Sequence, residues 1–343
     1  SAWGTTRLPA ADDEPGVACD MTWRPAFLAA LALLLVLCLA LHLVAGARAP
    51  APSEIWLALS RLDATSYDQA VVLFQRLPRA LIACYVGAVT AVSGCVLQAL
   101  IRNPLASPST LGVNGGATLG VIVSAFLLGL GTKEQGVAAL TGGICGFLAC
   151  VGVARLASRR NDPRGLSLIL AGALVSMLLV ATVNAIMLSD PTRRADFLSW
   201  VSGNINHVYI GRLRDFWWIG LISLTVLGCL AKPLTLIQFG AEKAASLGVN
   251  VARISQAALA AAILGSASAV AVCGPIGFVG LVIPHLIRPL AGPNAAYALP
   301  ASALAGASLC LMADFTAREA FQPFVLSTGL VTDVLGGLAF IVI

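Results

Sequence analysis

The stretch ISQAALAAAILGSASAVAVCGPIGFVGLVIP, residues 254–284, contains no charged side chain. Six further windows are also free of charge. They cover residues 103–132, 135–154, 165–189, 216–231, 289–313 and 320–332. A helix needs roughly 20 apolar residues to cross the hydrocarbon core of a bilayer, and several of these windows reach that length. The sequence therefore predicts a membrane protein built from apolar helices.

The composition supports the same class. Hydrophobic residues make up 58% of the 343 residues and charged residues only 11%, whereas a soluble domain carries about 25% charged residues. The mean hydropathy is +0.90. The strict alternation of an outer-membrane barrel is missing from the sequence. We therefore predict an all-α integral membrane protein surrounded by lipid. Its net charge of +5 is explained by basic residues at helix ends, without nucleic acid as a partner.

Proline, glycine and charge clusters divide the apolar sequence into about ten transmembrane helices. The predicted spans are 25–46, 80–101, 111–130, 136–157, 165–188, 216–231, 253–273, 276–290, 299–315 and 324–343. The eighth span is short and follows Gly274-Pro275, which predicts a broken helix that lines a cavity rather than facing lipid.

The chain divides into a tail, residues 1–24, and a transmembrane domain, residues 25–343. The tail mixes proline, glycine and acidic residues, and we expect it to be disordered and cytosolic. The first apolar run is longer than a typical signal-peptide core. With both termini in the cytosol, eleven basic residues fall inside and ten outside, so charge alone does not decide the orientation. The basic cluster in residues 155–164 favours cytosolic termini, and the basic outer face suggests an acidic partner.

Several catalytic motifs are missing from the sequence. None of the three lysines follows a glycine, which excludes a P-loop. The three histidines form no H-E-x-x-H pattern, and no G-x-S-x-G elbow is present. None of the nine cysteines is spaced C-x-x-C. We therefore predict no catalytic residue, no metal site and no cofactor in this chain.

Four segments carry more specific information. They are Arg76-Leu77-Pro78-Arg79, the stretch RNPLASP at 102–108 with LGVNGGA at 111–117, the stretch GAEKAASLGV at 240–249, and the stretch GPIGFVGLVIPHLIR at 274–288. In this order and spacing they resemble the FecCD family, the permeases of ATP-binding-cassette (ABC) importers for iron-siderophores, haem and vitamin B12. The resemblance covers the chain from about Arg76 to the C-terminus.

This resemblance implies a type II importer permease fold in the inner membrane, with ten helices per subunit. It also implies a second permease subunit, identical or different, two copies of an ABC ATPase that bind ATP and magnesium, and a periplasmic or lipoprotein substrate-binding protein. The cargo would be a ferric siderophore or a similar metal chelate, and the exact cargo stays open.

A short helix between the sixth and seventh spans is expected to contact the ATPase. The polar, alanine-rich stretch from Glu242 to Leu247 ends at Gly248, a typical C-cap, and is too short to span a bilayer. It resembles the coupling loop of ABC permeases. The residues that match are Gly240, Glu242, Ala244, Ala245, Leu247 and Gly248.

At the outer face, the resemblance implies that Arg76, Arg79 and Arg318 bind acidic residues of the binding protein. Arginine can pair bidentately with a carboxylate, which gives orientation as well as attraction. The alternative is that these arginines reach into lipid headgroups near the helix ends.

The pathway is expected to run along the dimer interface, beside spans five and ten. Ser176 and Asn184 lie eight residues apart on span five and could line it, or could bind neighbouring helices. Asp314 and Asp333 are acids inside late spans, where buried acids are suspected of a functional role. Leu338 stands where the family's last helix often has a proline, which resembles one half of catecholate-siderophore permease pairs.

Two other classes of membrane protein are alternatives to an ABC permease. An ion-coupled secondary transporter would place several ionisable groups at mid-membrane, and only Asp333 qualifies. A membrane enzyme would need a clustered catalytic constellation, which the sequence does not show. The prediction is a non-catalytic translocation subunit, with the ion-coupled carrier as the alternative.

Overall fold

The computed structural model describes residues 23–46, 50–157, 166–189, 197–198, 200–320 and 326–342. Residues 1–22, most of the predicted tail, lie outside the described residues, as does part of the basic cluster in 155–164. Within the described residues the chain forms helices and turns and no β-strand. The all-α prediction is confirmed.

The helices coincide with the predicted spans. They are α1 (Trp23–Val44), α2 (Pro52–Arg61), α3 (Tyr67–Ile101), α4 (Val113–Phe126), α5 (Thr132–Ala157), α6 (Leu166–Ser189), α7 (Ile210–Cys229), α8 (Ala231–Gln238), α9 (Ala241–Ser246), α10 (Val251–Cys273), α11 (Val279–Ala291), α12 (Ala295–Glu319) and α13 (Thr328–Val342). Each predicted span contains one helix. Helices α2 and α8 were not predicted as separate elements.

Not every helix is long enough to cross a membrane. Among the described residues six helices are long and apolar enough, namely α1, α3, α5, α6, α10 and α12, and α7 reaches that length together with α8, with a bend of 57° between the two. Helices α4, α11 and α13 are shorter. At 1.5 Å per residue the 13 residues of α11 extend about 20 Å, against a hydrocarbon core of about 30 Å. The predicted short eighth span corresponds to α11, and α4 and α13 are also too short to cross the core on their own length.

The core of the bundle is built around α3. Of its apolar window 78% is buried, against 17% for α1 and 22% for α6. Helix α3 packs against α12, α10 and α11. It crosses α12 at Gly87 and Gly306, where a Cβ on either residue would overlap the carbonyl oxygen of the other. The two backbones therefore touch, and both positions require glycine.

Helices α4 and α5 pack closely at Gly116 and Gly142. A Cβ on Gly116 would overlap the carbonyl oxygen of Gly142, and a Cβ on Gly142 would overlap that of Gly116. Small residues at such spacing allow membrane helices to approach closely. Their role is structural.

The predicted break at Gly274-Pro275 is present. Helix α10 ends at Cys273, whose carbonyl oxygen accepts a hydrogen bond from the N–H of Asn204 (2.9 Å). Helix α11 begins only at Val279. Because a neighbouring segment of the chain binds the freed backbone group, the break is tolerated inside the bundle.

The two ends of the bundle differ in the segments they carry. One end, here called the Arg102 end, holds the start of α1, the end of α3, α8 and α9. There, Arg102 Nη2 donates to the carbonyl oxygen of Ile237 (3.3 Å), and the Arg24 guanidinium lies 5.7 Å from the centre of the Tyr297 ring. The opposite end, here called the Arg318 end, holds the ends of α1 and α12 and the starts of α3 and α7.

Candidate functional site

The predicted docking arginines lie within helices rather than in loops. Helix α3 begins at Tyr67, well before the predicted residue 80, so Arg76 and Arg79 are helical. A single π-turn, Val72–Arg76, precedes Pro78, which has no N–H to donate. Helix α12 extends to Glu319, which places Arg318 in its last turn. The predicted boundaries of these two spans are wrong, because both helices continue past their charged residues.

Arg79 binds a buried carboxylate. Its Nε and Nη2 donate to the two oxygens of Asp314 at 3.1 and 2.7 Å. Asp314 has no exposed surface. A bidentate pair of this kind is among the stronger charge-assisted contacts. An ionised carboxylate can be buried here because arginine supplies the counter-charge.

Three further side chains complete what we call the Asp314 cluster: His42, Arg79, Asp314, Arg318 and Thr328. His42 Nε2 lies 2.9 Å from Asp314 Oδ2, and Thr328 Oγ1 donates to Oδ1 (2.9 Å). Arg318 Nε lies 3.6 Å from Oδ2. Because a carboxylate only accepts, His42 Nε2 carries the hydrogen. The cluster joins α1, α3, α12 and α13.

Arg76 caps the C-terminal end of α1. Its Nη1 donates to the carbonyl oxygens of Leu43 and Val44 at 2.7 and 2.9 Å. The last carbonyls of a helix lack intrahelical donors, and a basic side chain can satisfy them. The side chain is buried, with 5% of Arg76 exposed.

The structure brings the three docking arginines to one cavity at the Arg318 end. The cavity measures about 330 Å³, and Arg76, Arg79 and Arg318 line it together with Tyr67 and Glu319. Arg76 and Arg79 already donate hydrogen bonds within the chain, whereas Arg318 forms an ion pair with Asp314 at 3.6 Å and its Nε and Nη2 are buried without a hydrogen-bond partner among the described residues. Binding of a partner's carboxylates by these residues stays a prediction.

The Arg318 end is not basic once its acids are counted. Its described basic residues are Arg61, Arg76, Arg79, Lys133, Arg212, Arg214 and Arg318. Its described acids are Glu54, Asp63, Asp68, Glu134, Asp215, Asp314 and Glu319. Seven charges of each sign are present, so the expected basic outer face is not observed among the described residues.

The expected short helix at the Arg102 end is α9, Ala241–Ser246. Gly240 (φ 138°) and Gly248 (φ 82°) flank it in conformations that L side chains rarely adopt. The N–H of Val249 donates to the carbonyl oxygen of Ala244 (3.0 Å), which forms a Schellman cap with Gly248 in the left-handed position. Local sequence therefore determines both limits of α9.

One side of α9 is open to a partner. Ala244 is fully buried and anchors the helix, whereas Glu242 and Ala245 are exposed. The large apolar side chains of Phe239 and Leu247 are also exposed, by 60% and 69%. This segment, residues 239–248, offers an apolar surface with one acid.

The predicted pathway residues differ in their surroundings. Asn184 is exposed on α6, whereas the Oγ of Ser176 is buried, and its backbone lies beside Gly115 of α4. Asp333 is exposed on α13, and its Oδ1 would meet a Cβ placed on Gly277, so α13 packs against the break between α10 and α11. Lining of a pathway by Ser176 and Asn184 stays a prediction.

Sequence reasoning missed His42 and Thr328. His42 is one of three scattered histidines in the sequence, with no local motif around it. Its partner Asp314 is 272 residues away in sequence. The available signal was the buried acid itself, since an acid inside an apolar span requires a cation or donor from another helix.

Comparison with known proteins gives the family. The model of the FecCD transport family matches residues 33–343. The chain is 35% identical to the ferric enterobactin transport system permease protein FepG of Escherichia coli strain K12, over 85% of this chain and 87% of that protein. It is 39% identical to the hemin transport system permease protein HmuU of Yersinia pestis, over 78% and 80%.

A solved structure shows the same architecture. It is described as an inward-facing conformation of a metal-chelate type ABC transporter, and it superposes with a TM-score of 0.78 at 29% sequence identity. The match covers 93% of this chain and 98% of that one. The family resemblance of the four sequence segments is therefore confirmed, and this chain belongs to the FecCD transport family.

Proposed function

We propose that this chain is the membrane-spanning permease subunit of an ABC importer, carrying a ferric siderophore or a similar metal chelate across the inner membrane. The observation that carries this proposal is the family match across nearly the whole membrane domain, including all four sequence segments. The named relatives are transport permeases for ferric enterobactin and haemin. These relatives give no support to an ion-coupled carrier.

The permease has no catalytic role of its own in this proposal. Two copies of an ABC ATPase bind ATP and magnesium, and a second permease subunit, identical or different, completes the pathway. Residues 239–248 at the Arg102 end bind the ATPase, which places this end in the cytosol. The exposed Phe239 and Leu247 support this assignment, because large apolar side chains at a helix end in water are typical of a protein contact.

The pathway in this proposal runs beside α6 and α13. Helix α6 is the least buried of the long spans after α1, and α13 leaves Asp333 and Leu338 exposed. An ionisable group exposed on a membrane helix is costly against lipid. Asp333 therefore faces the second subunit or the water of the pathway.

Reconstitution tests the proposed function. The permease and its ATPase are placed in liposomes, and uptake of labelled ferric siderophores, haemin and cobalamin is measured with the binding protein present. Uptake that requires ATP and stops with vanadate is expected. Uptake that follows a proton gradient without any ATPase would overturn the proposal and favour the ion-coupled alternative.

The docking role of the Arg318 end gives a specific prediction. Arg318→Ala is expected to weaken binding of the substrate-binding protein about tenfold, because a guanidinium that lines the outer cavity is lost from the contact. Titration of the purified importer with labelled binding protein measures the affinity.

The control is Arg61→Ala, which removes an exposed arginine from the same end. The affinity of the Arg61→Ala importer for the binding protein should change less than about threefold, as for a charge at the rim of an interface. A larger loss for Arg61→Ala than for Arg318→Ala would place the docking surface on α2 instead of the cavity.

A further inference from the structure

A second polar cavity lies at the Arg102 end, where the ends of α3, α8 and α11 meet. It measures about 370 Å³, and its walls include Gln98, Arg102, Gln238 and Arg288, with Pro104 and Pro293 at its edges. Two of the four sequence segments, RNPLASP at 102–108 and the segment that ends at Arg288, meet here. Neither has a role in the functional assignment above.

The polar groups of this cavity are incompletely satisfied. Gln98 is buried, and its Nε2 donates to the carbonyl oxygen of Leu281 (3.0 Å), but its Oε1 has no hydrogen-bond partner in the described structure. No carboxylate of the described residues lies within 4.0 Å of Arg102 or Arg288. The two guanidinium groups are exposed or half-buried and carry no counter-charge from the described residues, so they are available to an anionic group that enters the cavity.

The charge around the cavity favours an anion. The described basic residues of this end are Arg24, Arg102, Arg155, Lys232, Lys243, Arg253 and Arg288. Glu242 is the one acid among the described residues there. This excess of positive charge contrasts with the balanced charges of the Arg318 end. It attracts a negatively charged partner over a distance of about a Debye length.

The position of the cavity selects a cytosolic protein over a lipid headgroup. Arg102, which follows the end of α3, is exposed at the same end of the bundle as α9. Gln238 ends α8, two residues before Gly240 and α9. The cavity therefore adjoins the segment proposed to contact the ATPase.

We infer that this cavity receives a carboxylate side chain of the ATPase subunit, held between Arg102 and Arg288. This inference rests on the proposed function and adds a second ATPase contact beside α9. Guanidinium groups bind a carboxylate with charge-assisted hydrogen bonds.

Zero-length cross-linking tests the inference directly. Carbodiimide joins a lysine amine only to a carboxylate that touches it, so R288K in the assembled importer should cross-link to an acidic residue of the ATPase. Peptide mass spectrometry separates this link from links of native Lys232 and Lys243. The matched control is R253K, an exposed position at the same end, where no link to the same acid is expected.

Affinity provides the second measurement. R288Q should weaken ATPase binding to the solubilised permease about 30-fold or more, as for one partner lost from a desolvated charge pair. R253Q should change it less than about threefold. Monodisperse elution of R288Q on size-exclusion chromatography, as for the wild type, shows that the variant is folded.

The measurements distinguish a failure of the proposed function from a failure of the cavity assignment alone. If the wild-type permease binds no ATPase, the proposed function fails. If the wild type binds it, but R288Q and R253Q bind equally and R288K forms no specific link, only the cavity assignment is overturned. A phospholipid seen by native mass spectrometry on the wild type and lost from R288Q, with ATPase affinity unchanged, would also overturn it in favour of a lipid site.

Discussion

Asp314→Ala is expected to lower the free energy of unfolding by about 3–5 kcal/mol, the cost of leaving a buried charge without its partner. The carboxylate accepts from Arg79, His42 and Thr328, and it has no exposed surface. Its loss leaves the Arg79 guanidinium buried without a counter-charge and removes the hydrogen bond from Thr328 of α13 to α12. Thermal and denaturant unfolding in detergent, followed by tryptophan fluorescence, measures the change.

Glu134→Ala provides the control for this measurement. Glu134 is an exposed acid at the same end of the bundle, and its removal should change stability by less than about 0.5 kcal/mol. Asp314→Asn separates charge from shape, because asparagine keeps the size but not the counter-charge, and most of the loss should remain. Equal stability of the Asp314→Ala variant and the wild type would show that the cluster does not hold these helices together.

Gly248→Pro is expected to reduce uptake about tenfold or more while the subunit remains folded. Gly248 has a φ of 82°, whereas proline fixes φ near −65°. Proline therefore abolishes the Schellman cap of α9. A backbone conformation that kept residues 239–248 in place despite the proline would be strained by about 1–3 kcal/mol. ATP hydrolysis should continue without uptake, as measured in the same reconstituted vesicles. Glu242→Ala, at the exposed side of α9, should likewise reduce uptake while ATP hydrolysis continues.

Gly248→Asn is the matched control. No atom lies within 4 Å of a Cβ placed on Gly248, so a side chain fits, and asparagine tolerates the left-handed conformation better than other L residues. Its uptake should remain near that of the wild type. Wild-type uptake by both Gly248→Pro and Glu242→Ala would show that residues 239–248 do not transmit the ATPase movement.

The positions of the helices were predictable because lipid imposes a simple rule on local sequence. The charge-free residues 254–273 must be helical in a membrane, since their backbone groups have no other partners there. Local rules also located α9, where Gly248 supplies a conformation that other residues resist. The start of α3 and the end of α12 were predicted wrongly from the sequence. Arg79 and Arg318 lie beside the buried Asp314, and both therefore remain inside their helices.

The sequence by itself determined a helical membrane protein of the FecCD type, with a short helix near residues 242–247 that ends at Gly248. Only the tertiary structure decided which polar residues meet. His42 and Arg79 are 272 and 235 residues from Asp314, and Gln98 and Arg102 meet Arg288 only where α3 crosses α11. The physical reason is that hydropathy and cap residues act over a few turns of one helix. A buried charge is instead paired by whichever helices pack around it, and that packing depends on the close glycine crossings of the whole bundle.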